Sequence, residues 1–329
     1  MRCLIDASTD PYWNLAAEEY LLTQSAQSVC RLWRNNPSII VGRNQNTAAE
    51  VDTAYVEAHR LPVVRRLSGG GAVFHDLGNL NFSFFDTRTS PQLDTTALFA
   101  RYTRPILDFL ETCGVHAVLE GRNDLLINGL KCSGNAIAVY KDRVLMHGTL
   151  LYSASMQDLS RALVAKVRDA FAGNAVASRR ARVGNVQDFM PHPLSMDAFK
   201  DALGAFLANA LCDGIQSHWT PEEIAGVQQL CDSKYATYAW NYGHSPAYNF
   251  HRKERFPQGN VEVYLRIEKG LIHEAHIYGD YFAAAPAEEL ALALKDCPHN
   301  AEALRGRLSA LTLADYLPLS LADFITLLV

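Results

Sequence analysis

The sequence predicts a mixed α/β protein with a large domain followed by a small α+β domain. Helix-like and strand-like segments alternate along the 329 residues without an internal repeat. Hydrophobic residues make up 49% of the chain and charged residues 20%, the balance of a soluble globular protein with a full core. Glycine, serine and proline cluster at 241–248, so we predict domains of 1–245 and 246–329.

Local patterns predict the individual elements. Asp10 and Pro11 suit the cap and the first position of a helix whose apolar residues are helically spaced to Gln24. Residues 29–44 predict a hairpin that turns at 35–37. The other predicted elements are strands at 3–8, 61–66, 71–76, 80–86, 115–120, 123–128, 130–140 and 143–153, helices at 97–113, 156–166, 195–211 and 220–232, and a strand pair over 260–278 that turns at 269–270 and precedes terminal helices.

Charge and cysteine content exclude several classes of protein. The net charge of −5 gives no electrostatic basis for a nucleic-acid partner. Seven cysteines, an odd number without a C-x-x-C pair, indicate reduced thiols rather than a disulfide framework or a zinc site. The amino terminus lacks the apolar core of a signal peptide, and no apolar run approaches membrane-spanning length. We therefore expect a cytoplasmic protein that binds neither nucleic acid nor membranes, and we expect it to be a monomer.

The stretch RRLSGGGAVFHD, residues 65–76, places three consecutive glycines between two arginines and a strand-like run. Two interpretations are open. The glycines can form a hairpin turn that needs positive φ, or their N–H groups can wrap an anion while Arg65 or Arg66 supplies full charge. The spacing matches neither a Walker loop nor the dinucleotide fingerprint. Alone, this glycine loop indicates a turn or a site for an anion such as phosphate.

A second motif, NDLLINGLKCSGNA, contains a lysine between an apolar strand and a serine. Side chains alternate along a strand, so Lys131 and Ser133 are predicted to share one face while Cys132 points into the core. This alternation argues against an acyl-cysteine mechanism. Asp124 in the same motif is either a turn residue or a ligand contact.

Taken in order, these segments and their neighbours resemble the lipoate–protein ligase family, within the group that also contains biotin protein ligases and octanoyl transferases. The resemblance extends over nearly the whole chain, and no single segment decides it. His147, which opens one segment, is by itself also compatible with a structural role. The segments are DPYWNLAAEEYLL at 10–22, VGRNQN at 41–46, RRLSGGGAVFHDLGNLNFSF at 65–84, GRNDLLINGLKCSGNA at 121–136, HGTLLYS at 147–153, SRRARVGNVQDF at 178–189 and YAWNYGHSPAYN at 238–249.

The resemblance implies a two-step reaction in a catalytic domain of the biotin/lipoate ligase type, followed by a small accessory domain. Residues 250–329 contain no cluster of candidate catalytic groups, so we expect the small domain to do no chemistry. Lipoate and ATP first give lipoyl-adenylate and pyrophosphate. The lipoyl group then passes to a lysine of a carrier domain. The implied partners are lipoyl domains of 2-oxoacid dehydrogenase E2 subunits and the glycine cleavage H protein. Mg²⁺ is implied to neutralise the leaving pyrophosphate.

The resemblance also implies roles for particular residues. Lys131 is the expected catalytic residue, and Asp124 is the expected Mg²⁺ contact. N–H groups of the glycine loop are expected to stabilise the charge that develops when the carboxylate attacks the α-phosphorus. The expected adenylate-binding residues are Arg66, Gly71, Ala72, Val73, Phe74, Asn123, Asp124 and Lys131, and the expected lipoate-binding residues are Gly70, Gly71, His75, Lys131, His147 and Gly148. Val73, Phe74 and the strand LNFSFF are expected to supply an apolar tunnel for the acyl chain.

Two other functions stay open. Some members of the group keep the same loops, lysine and small domain but transfer a preformed lipoyl or octanoyl group without ATP. A non-catalytic lipoate sensor is disfavoured, because no helix-turn-helix segment precedes the first strand and the net charge is negative. The presence of Arg66, the triple glycine and Lys131 together favours nucleotide binding, so we predict an ATP-dependent ligase.

Overall fold

A computed structural model describes residues 1–45, 47–51, 53–88, 93–121, 123–155, 183–242, 250–268 and 270–329. The mixed α/β class is confirmed, because these residues form a large mixed sheet, two smaller sheets and flanking helices. The helix predicted at 156–166, most of the predicted domain boundary and Lys269 of the predicted turn lie outside the described residues.

The described elements have the following bounds. The strands are β1 (Arg2–Ile5), β2 (Val29–Trp33), β3 (Ser38–Val41), β4 (Val63–Arg65), β5 (Val73–His75), β6 (Asn79–Thr87), β7 (Val118–Glu120), β8 (Asp124–Ile127), β9 (Leu130–Tyr140), β10 (Arg143–Leu151), β11 (Phe250–Phe256), β12 (Gly259–Glu268) and β13 (Leu271–Gly279). The helices are α1 (Pro11–Gln24), α2 (Thr47–Glu50), α3 (Thr53–His59), α4 (Thr95–Thr112), α5 (Met196–Leu211), α6 (Pro221–Leu230), α7 (Tyr238–Tyr242), α8 (Ala287–Leu294), α9 (Ala301–Leu308), α10 (Leu313–Tyr316) and α11 (Leu321–Leu328), with a 3₁₀ turn at Val186–Phe189 and a π-helical turn at Cys231–Tyr235.

The large sheet has the strand order β1-β2-β6-β10-β9-β8-β7. Strands β1 and β2 are parallel, and the other neighbours are antiparallel. Strand β6 lies near the middle and is buried over most of its length, as its aromatic run suggests. One face of the sheet packs against α4 and α5 through a core rich in phenylalanine. The opposite face is therefore left for α1 and the glycine loop.

The hairpin predicted over 29–44 is wrong. Strand β2 pairs with β1 and β6 in the large sheet, whereas β3 pairs with β4 and β5 in a separate three-stranded sheet. The residues between them make contacts elsewhere: the Asn36 N–H donates to the Thr9 carbonyl, and the Asn35 side chain contacts Asn14 and His75. These polar residues carry the chain from one sheet to the other, although they have the composition of a turn.

Helix α1 lies between the large sheet and the small sheet of β3, β4 and β5. Its start is as predicted, because the Asp10 carboxylate accepts a hydrogen bond from the Tyr12 N–H and Pro11 is the first helical residue. Leu15 packs in a cluster with Trp33 and Ile40, which come from the two different sheets. The helix is thus buried on several sides, and it positions side chains between the two sheets.

The small domain consists of the β11-β12-β13 meander and helices α8 to α11 around a core of its own. It meets the large domain beside the glycine loop. The Gly279 N–H donates to the Asn44 carbonyl over 2.7 Å. A Cβ atom on Gly69 would lie 2.1 Å from the Tyr281 carbonyl oxygen, so this approach requires glycine. The ring of Phe282 lies 5.5 Å from that of Phe99.

The buried side chain of Arg31, on β2, contacts both the loop between β1 and α1 and α1 itself. The Arg31 guanidinium donates to the Asp6 carboxylate over 2.5 Å and to the side-chain oxygen of Asn14 over 2.6 Å. It also lies 5.1 to 5.8 Å from the ring centroids of three tryptophans, Trp13, Trp33 and Trp219. A buried charge with this many partners is compensated only while all of them stay in place.

We expect Asp6→Ala to destabilise the protein strongly, because it leaves the Arg31 charge buried without its carboxylate. Removing one partner of a buried pair costs about 3–5 kcal/mol, which corresponds to roughly 10 °C in the melting temperature. Differential scanning calorimetry provides the measurement. Asp108→Ala, which removes an exposed pair with Arg104, is the matched control and should change the melting temperature little. Equal shifts for the two variants would contradict the role assigned to Arg31.

Candidate active site

A cavity of about 200 Å³ lies between the large sheet and the glycine loop. Its floor comes from β2, β6, β9 and β10, and its roof comes from residues 66–73 and β5. Ten residues predicted from the sequence to bind substrates line it: Arg66, Gly70, Gly71, Ala72, Val73, His75, Asn123, Lys131, His147 and Gly148. The fold thus brings together segments that are up to 82 positions apart, from Arg66 to Gly148.

Two of the residues predicted to bind adenylate or lipoate do not line this cavity. The Phe74 side chain packs beneath the roof in a cluster with Ile39 and Val41, because side chains alternate along β5. Its expected place in the apolar tunnel is therefore wrong for the side chain, and of the strand LNFSFF, which was expected there too, Asn81 alone lines the cavity. Asp124 touches the site only through Lys131, whose Nζ lies 2.8 Å from its Oδ1 atom.

Arg66 folds the glycine loop around its own guanidinium group. Its Nη2 donates to the carbonyl oxygens of Gly69 and Gly71 over 2.6 and 2.9 Å, and its Nε donates to the Ser68 hydroxyl over 3.0 Å. Gly70 adopts a φ of 92°, a left-handed conformation that favours glycine. Burial lowers the pKa of Arg66 to about 10, so the group remains charged at neutral pH. Its side chain shapes the loop and brings a positive charge to the cavity.

Arg65, the other arginine of the motif, points away from the cavity. Its guanidinium donates to the carbonyls of Gly42, Arg43 and Gln45, over 2.7 to 3.0 Å, and to the Thr47 hydroxyl. Arg65 ends β4 and Arg66 follows it directly, so their side chains face opposite sides and only one of the two arginines can reach the cavity. The glycine loop by itself leaves the choice between them open, and the resemblance implies Arg66; in the structure Arg66 lines the cavity and Arg65 does not.

Lys131 lies at the start of β9 and faces the glycine loop across the cavity. A Cβ atom on Gly134 would lie 3.1 Å from both Cε and Nζ of Lys131, so glycine at this position leaves room for the lysine side chain. Cys132 points into the core as alternation predicts, and burial raises the pKa of its thiol to about 12. A thiol in this state is neutral at physiological pH, and within the described structure it does not line the cavity.

Ser133 does not share the cavity face with Lys131, contrary to the prediction. Leu125 pairs with Ser133 and Leu126 with Lys131, so the register between β8 and β9 shifts at this point. The shift interrupts the regular alternation that the prediction assumed. Gly134 lines the cavity beside Lys131 instead.

A chain of buried polar side chains supports the glycine loop from below. Ser68 Oγ lies 2.6 Å from His147 Nε2, and His147 Nδ1 lies 2.9 Å from the Glu18 carboxylate. The Ser83 hydroxyl donates to Glu18 over 2.6 Å and accepts from Trp33 Nε1 over 2.8 Å. Burial alone would raise the pKa of Glu18, but the imidazole of His147, the Ser83 hydroxyl and the charge of Arg31 together hold it below its usual range.

Sequence reasoning missed several residues of the site. Glu18 is nearly inaccessible and lies on α1, where its only sequence signal was an acidic residue at a position that helical spacing assigns to the core. Asn135 braces the strand beside Lys131: its Nδ2 donates to the Asn123 carbonyl over 2.9 Å, and Asn123 Nδ2 donates to its carbonyl in return. The other lining residues that were not predicted are Leu15, Trp33, Ile40, Gly134, Ala136 and Thr149.

The described residues contain no cluster of three or more histidine, cysteine, aspartate or glutamate side chains that could hold a metal ion by itself. Asp124 places one carboxylate beside the cavity, where it pairs with Lys131. One carboxylate fits Mg²⁺ when phosphate groups supply further oxygen ligands. In the described part of the chain, no helix is both long and apolar enough to cross a membrane.

Comparison with known proteins identifies the family to which the chain is similar. Residues 10–208 match the model of the lipoyl protein ligase A/B catalytic domain, and residues 245–328 match that of the bacterial lipoate protein ligase C-terminus. The chain is 40% identical to lipoate–protein ligase 1 of Staphylococcus aureus over 311 residues, which cover 94% of this chain and 93% of the relative.

Solved structures agree with this match. A bipartite lipoate protein ligase from Thermoplasma acidophilum, studied with its E2 lipoyl domain, is similar with a TM-score of 0.64 and 30% identity over 76% of this chain and 98% of its own. A lipoate-protein ligase A bound with ATP is similar with a TM-score of 0.62 and 29% identity over 74% of this chain and 98% of its own. The fold, the cavity and these matches place the chain in the lipoate–protein ligase family.

Proposed function

We propose that this protein activates lipoate with ATP to lipoyl-adenylate and transfers the lipoyl group to a lysine of a carrier domain. The proposal rests on one observation: Lys131 and the loop shaped by Arg66 line the same cavity. One side therefore offers a cationic side chain and the other a loop with a buried positive charge. This arrangement suits a reaction in which negative charge develops between them.

In the first step the carboxylate of lipoate attacks the α-phosphorus of ATP, and pyrophosphate leaves. Lys131 is well placed to contact both the carboxylate and the phosphate oxygens, because its long side chain carries a compact charge. Gly70 and Gly71 line the same cavity, so loop N–H groups can approach the phosphate closely. Binding of the two reactants side by side supplies much of the rate, since it replaces an encounter in solution.

In the second step the lysine amine of the carrier attacks the acyl carbon of the adenylate, and AMP leaves. Lys131 can polarise the acyl carbonyl oxygen in this step. The roof of the cavity limits access of water to the mixed anhydride, which would otherwise be hydrolysed. We propose lipoyl domains of E2 subunits and the glycine cleavage H protein as acceptors, in line with the E2 lipoyl domain studied with the archaeal relative.

Mg²⁺ would bind to the nucleotide phosphates and to the Asp124 carboxylate, where it would neutralise charge on the leaving pyrophosphate. Asp124 would then exchange its partner, since it pairs with Lys131 in this structure. The release of Lys131 from Asp124 would leave the lysine free to contact the substrate.

We expect the protein to release one pyrophosphate for each lipoyl group that it adds. The assay combines the protein with lipoate, MgATP and an E2 lipoyl domain, and it measures pyrophosphate and the mass of the carrier. Omission of lipoate is the control and should abolish both signals. Carrier modification that proceeds only from acylated acyl carrier protein or from preformed lipoyl-adenylate would instead place the chain among the ATP-independent transferases.

We expect Lys131→Ala to abolish both steps and Cys132→Ser to leave most activity, although the two residues are adjacent. The lysine charge lies in the cavity, and loss of such a charge typically costs about hundredfold or more in rate. The thiol lies in the core, where its loss affects mainly stability. Pyrophosphate release and transfer from supplied lipoyl-adenylate report the two steps separately. A folded but inactive Cys132→Ser protein would contradict this assignment.

We further propose that Glu18, His147 and Ser68 hold the glycine loop in place for the reaction. We expect Glu18→Gln to lower the melting temperature at pH 7, because it removes the carboxylate that faces His147. The pKa of Glu18 is lowered in the folded protein, so its charge stabilises the fold at neutral pH, and this stabilisation is lost as the pH falls through that pKa. The difference between wild type and variant should therefore shrink below a pH of about 4.

Thermal unfolding between pH 3 and pH 8 measures this effect. Glu111→Gln is the matched control, because Glu111 forms an exposed pair with His116 and its loss should change the melting temperature little. A difference that is the same at every pH would show that the charge of Glu18 is not the source of the stabilisation.

A further inference from the structure

The cavity extends from Lys131 toward β2, and the two ends differ in chemistry. Lys131 is on β9 and Trp33 is on β2, so the order β2-β6-β10-β9 separates them by three strand spacings, about 14 Å. An acid whose carboxylate lies at Lys131 therefore extends its chain toward Trp33. Leu15, Ile40 and Val73 make this far end mainly apolar.

His75 lies at the far end, where its ring centroid is 6.1 Å from that of Trp33. Its tautomer follows from its neighbours. Asn14 Nδ2 donates to the Asn35 side-chain oxygen over 2.9 Å, so the Asn35 amide nitrogen is the atom that faces His75 Nδ1 at 3.1 Å. His75 Nδ1 must accept this hydrogen bond, and Nε2 therefore carries the proton.

The Nε2–H group of His75 is buried and has no hydrogen-bond partner among the described residues. Burial and the nearby charge of Arg66 lower the pKa of His75 to about 3, so the ring is neutral and presents one donor. Asn81 offers a second donor beside Trp33, its register partner on β2. Its oxygen accepts from Asn79 Nδ2 over 3.0 Å, whereas its own Nδ2 is buried without a partner in the described structure.

Two unpaired donors in an apolar pocket favour a ligand that brings acceptors to them. A buried N–H group without a partner costs free energy, and an alkyl chain end would leave both donors unpaired. Sulfur is a weak acceptor that is also compatible with apolar surroundings. A ring that contains two adjacent sulfurs therefore suits this end of the cavity better than a hydrocarbon of the same size.

We propose that the N–H groups of His75 and Asn81 donate to the dithiolane sulfurs of lipoate and so select it over sulfur-free acids of the same length. The inference rests on the proposed function and deepens it, because it assigns the choice between lipoate and octanoate to two side chains. These residues act in specificity, at the opposite end of the cavity from Lys131.

The test compares three ligands by titration calorimetry without ATP: lipoate, octanoate and the cyclopentyl analogue of lipoate in which CH₂ groups replace both sulfurs. We expect the wild-type protein to bind lipoate at least about tenfold more tightly than the cyclopentyl analogue, which has a similar shape but no acceptors. In His75→Phe, which keeps an aromatic ring beside Trp33, this ratio should fall several-fold. Asn81→Leu should lower it independently.

His75→Gln retains an N–H donor and should restore part of the preference for lipoate. His75→Gln also serves as a control for misfolding, because His75→Phe leaves Asn35 without its acceptor. Melting temperatures identify any variant that does not fold. A lipoate-to-cyclopentyl ratio that is the same in wild type, His75→Phe and Asn81→Leu would overturn the inference. Absence of pyrophosphate release with intact selective binding would instead overturn the proposed function and leave this inference standing.

Discussion

The shape of the candidate active site depends on one buried charge, the guanidinium group of Arg66. It holds two carbonyl oxygens of the glycine loop and the hydroxyl of Ser68 at the same time. Consecutive glycines have many accessible conformations, and a loop of this kind gains a defined shape only from strong contacts. The arginine provides them from inside the protein, so the roof of the cavity has its shape before a ligand binds. A roof that already has its shape needs less ordering when a ligand binds, which lowers the cost of binding.

Helix α1 links this site to the buried cluster around Arg31. Asn14 on the helix accepts a hydrogen bond from Arg31, and Glu18, one turn later, contacts His147 below the glycine loop. Stability and site geometry thus share one helix that lies between two sheets. A substitution that shifts α1 affects the Arg31 cluster and the roof of the cavity together. The same helix supplies Leu15 to the far end of the cavity, so it also contributes to the site for the acyl chain.

Local sequence signals predicted the elements that depend on local physics. The Asp10 cap, the first-position Pro11 and the core placement of Cys132 follow from rules that act over a few residues. The hairpin predicted at 29–44 failed because the pairing of strands depends on the whole fold, and Asn35, which has the character of a turn residue, contacts Asn14 and His75 instead. Glu18 could not be placed in the site, since its partner His147 is 129 positions away. The resemblance identified the residues around the cavity as a group, including Arg66 rather than Arg65, but the register shift at Ser133 required coordinates.

The three consecutive glycines allow close packing as well as backbone freedom. On one side of Gly69 the Tyr281 carbonyl comes so close that a Cβ atom has no room, and a Cβ on Gly70 would lie 2.8 Å from the Arg66 guanidinium. Gly71 differs, because a Cβ atom there would meet no described atom within 4 Å. The first two glycines are therefore required by the protein itself, which has layers packed on either side of the chain. The third has open space around it on the wall of the cavity, where a bound molecule rather than the fold would come close to its backbone.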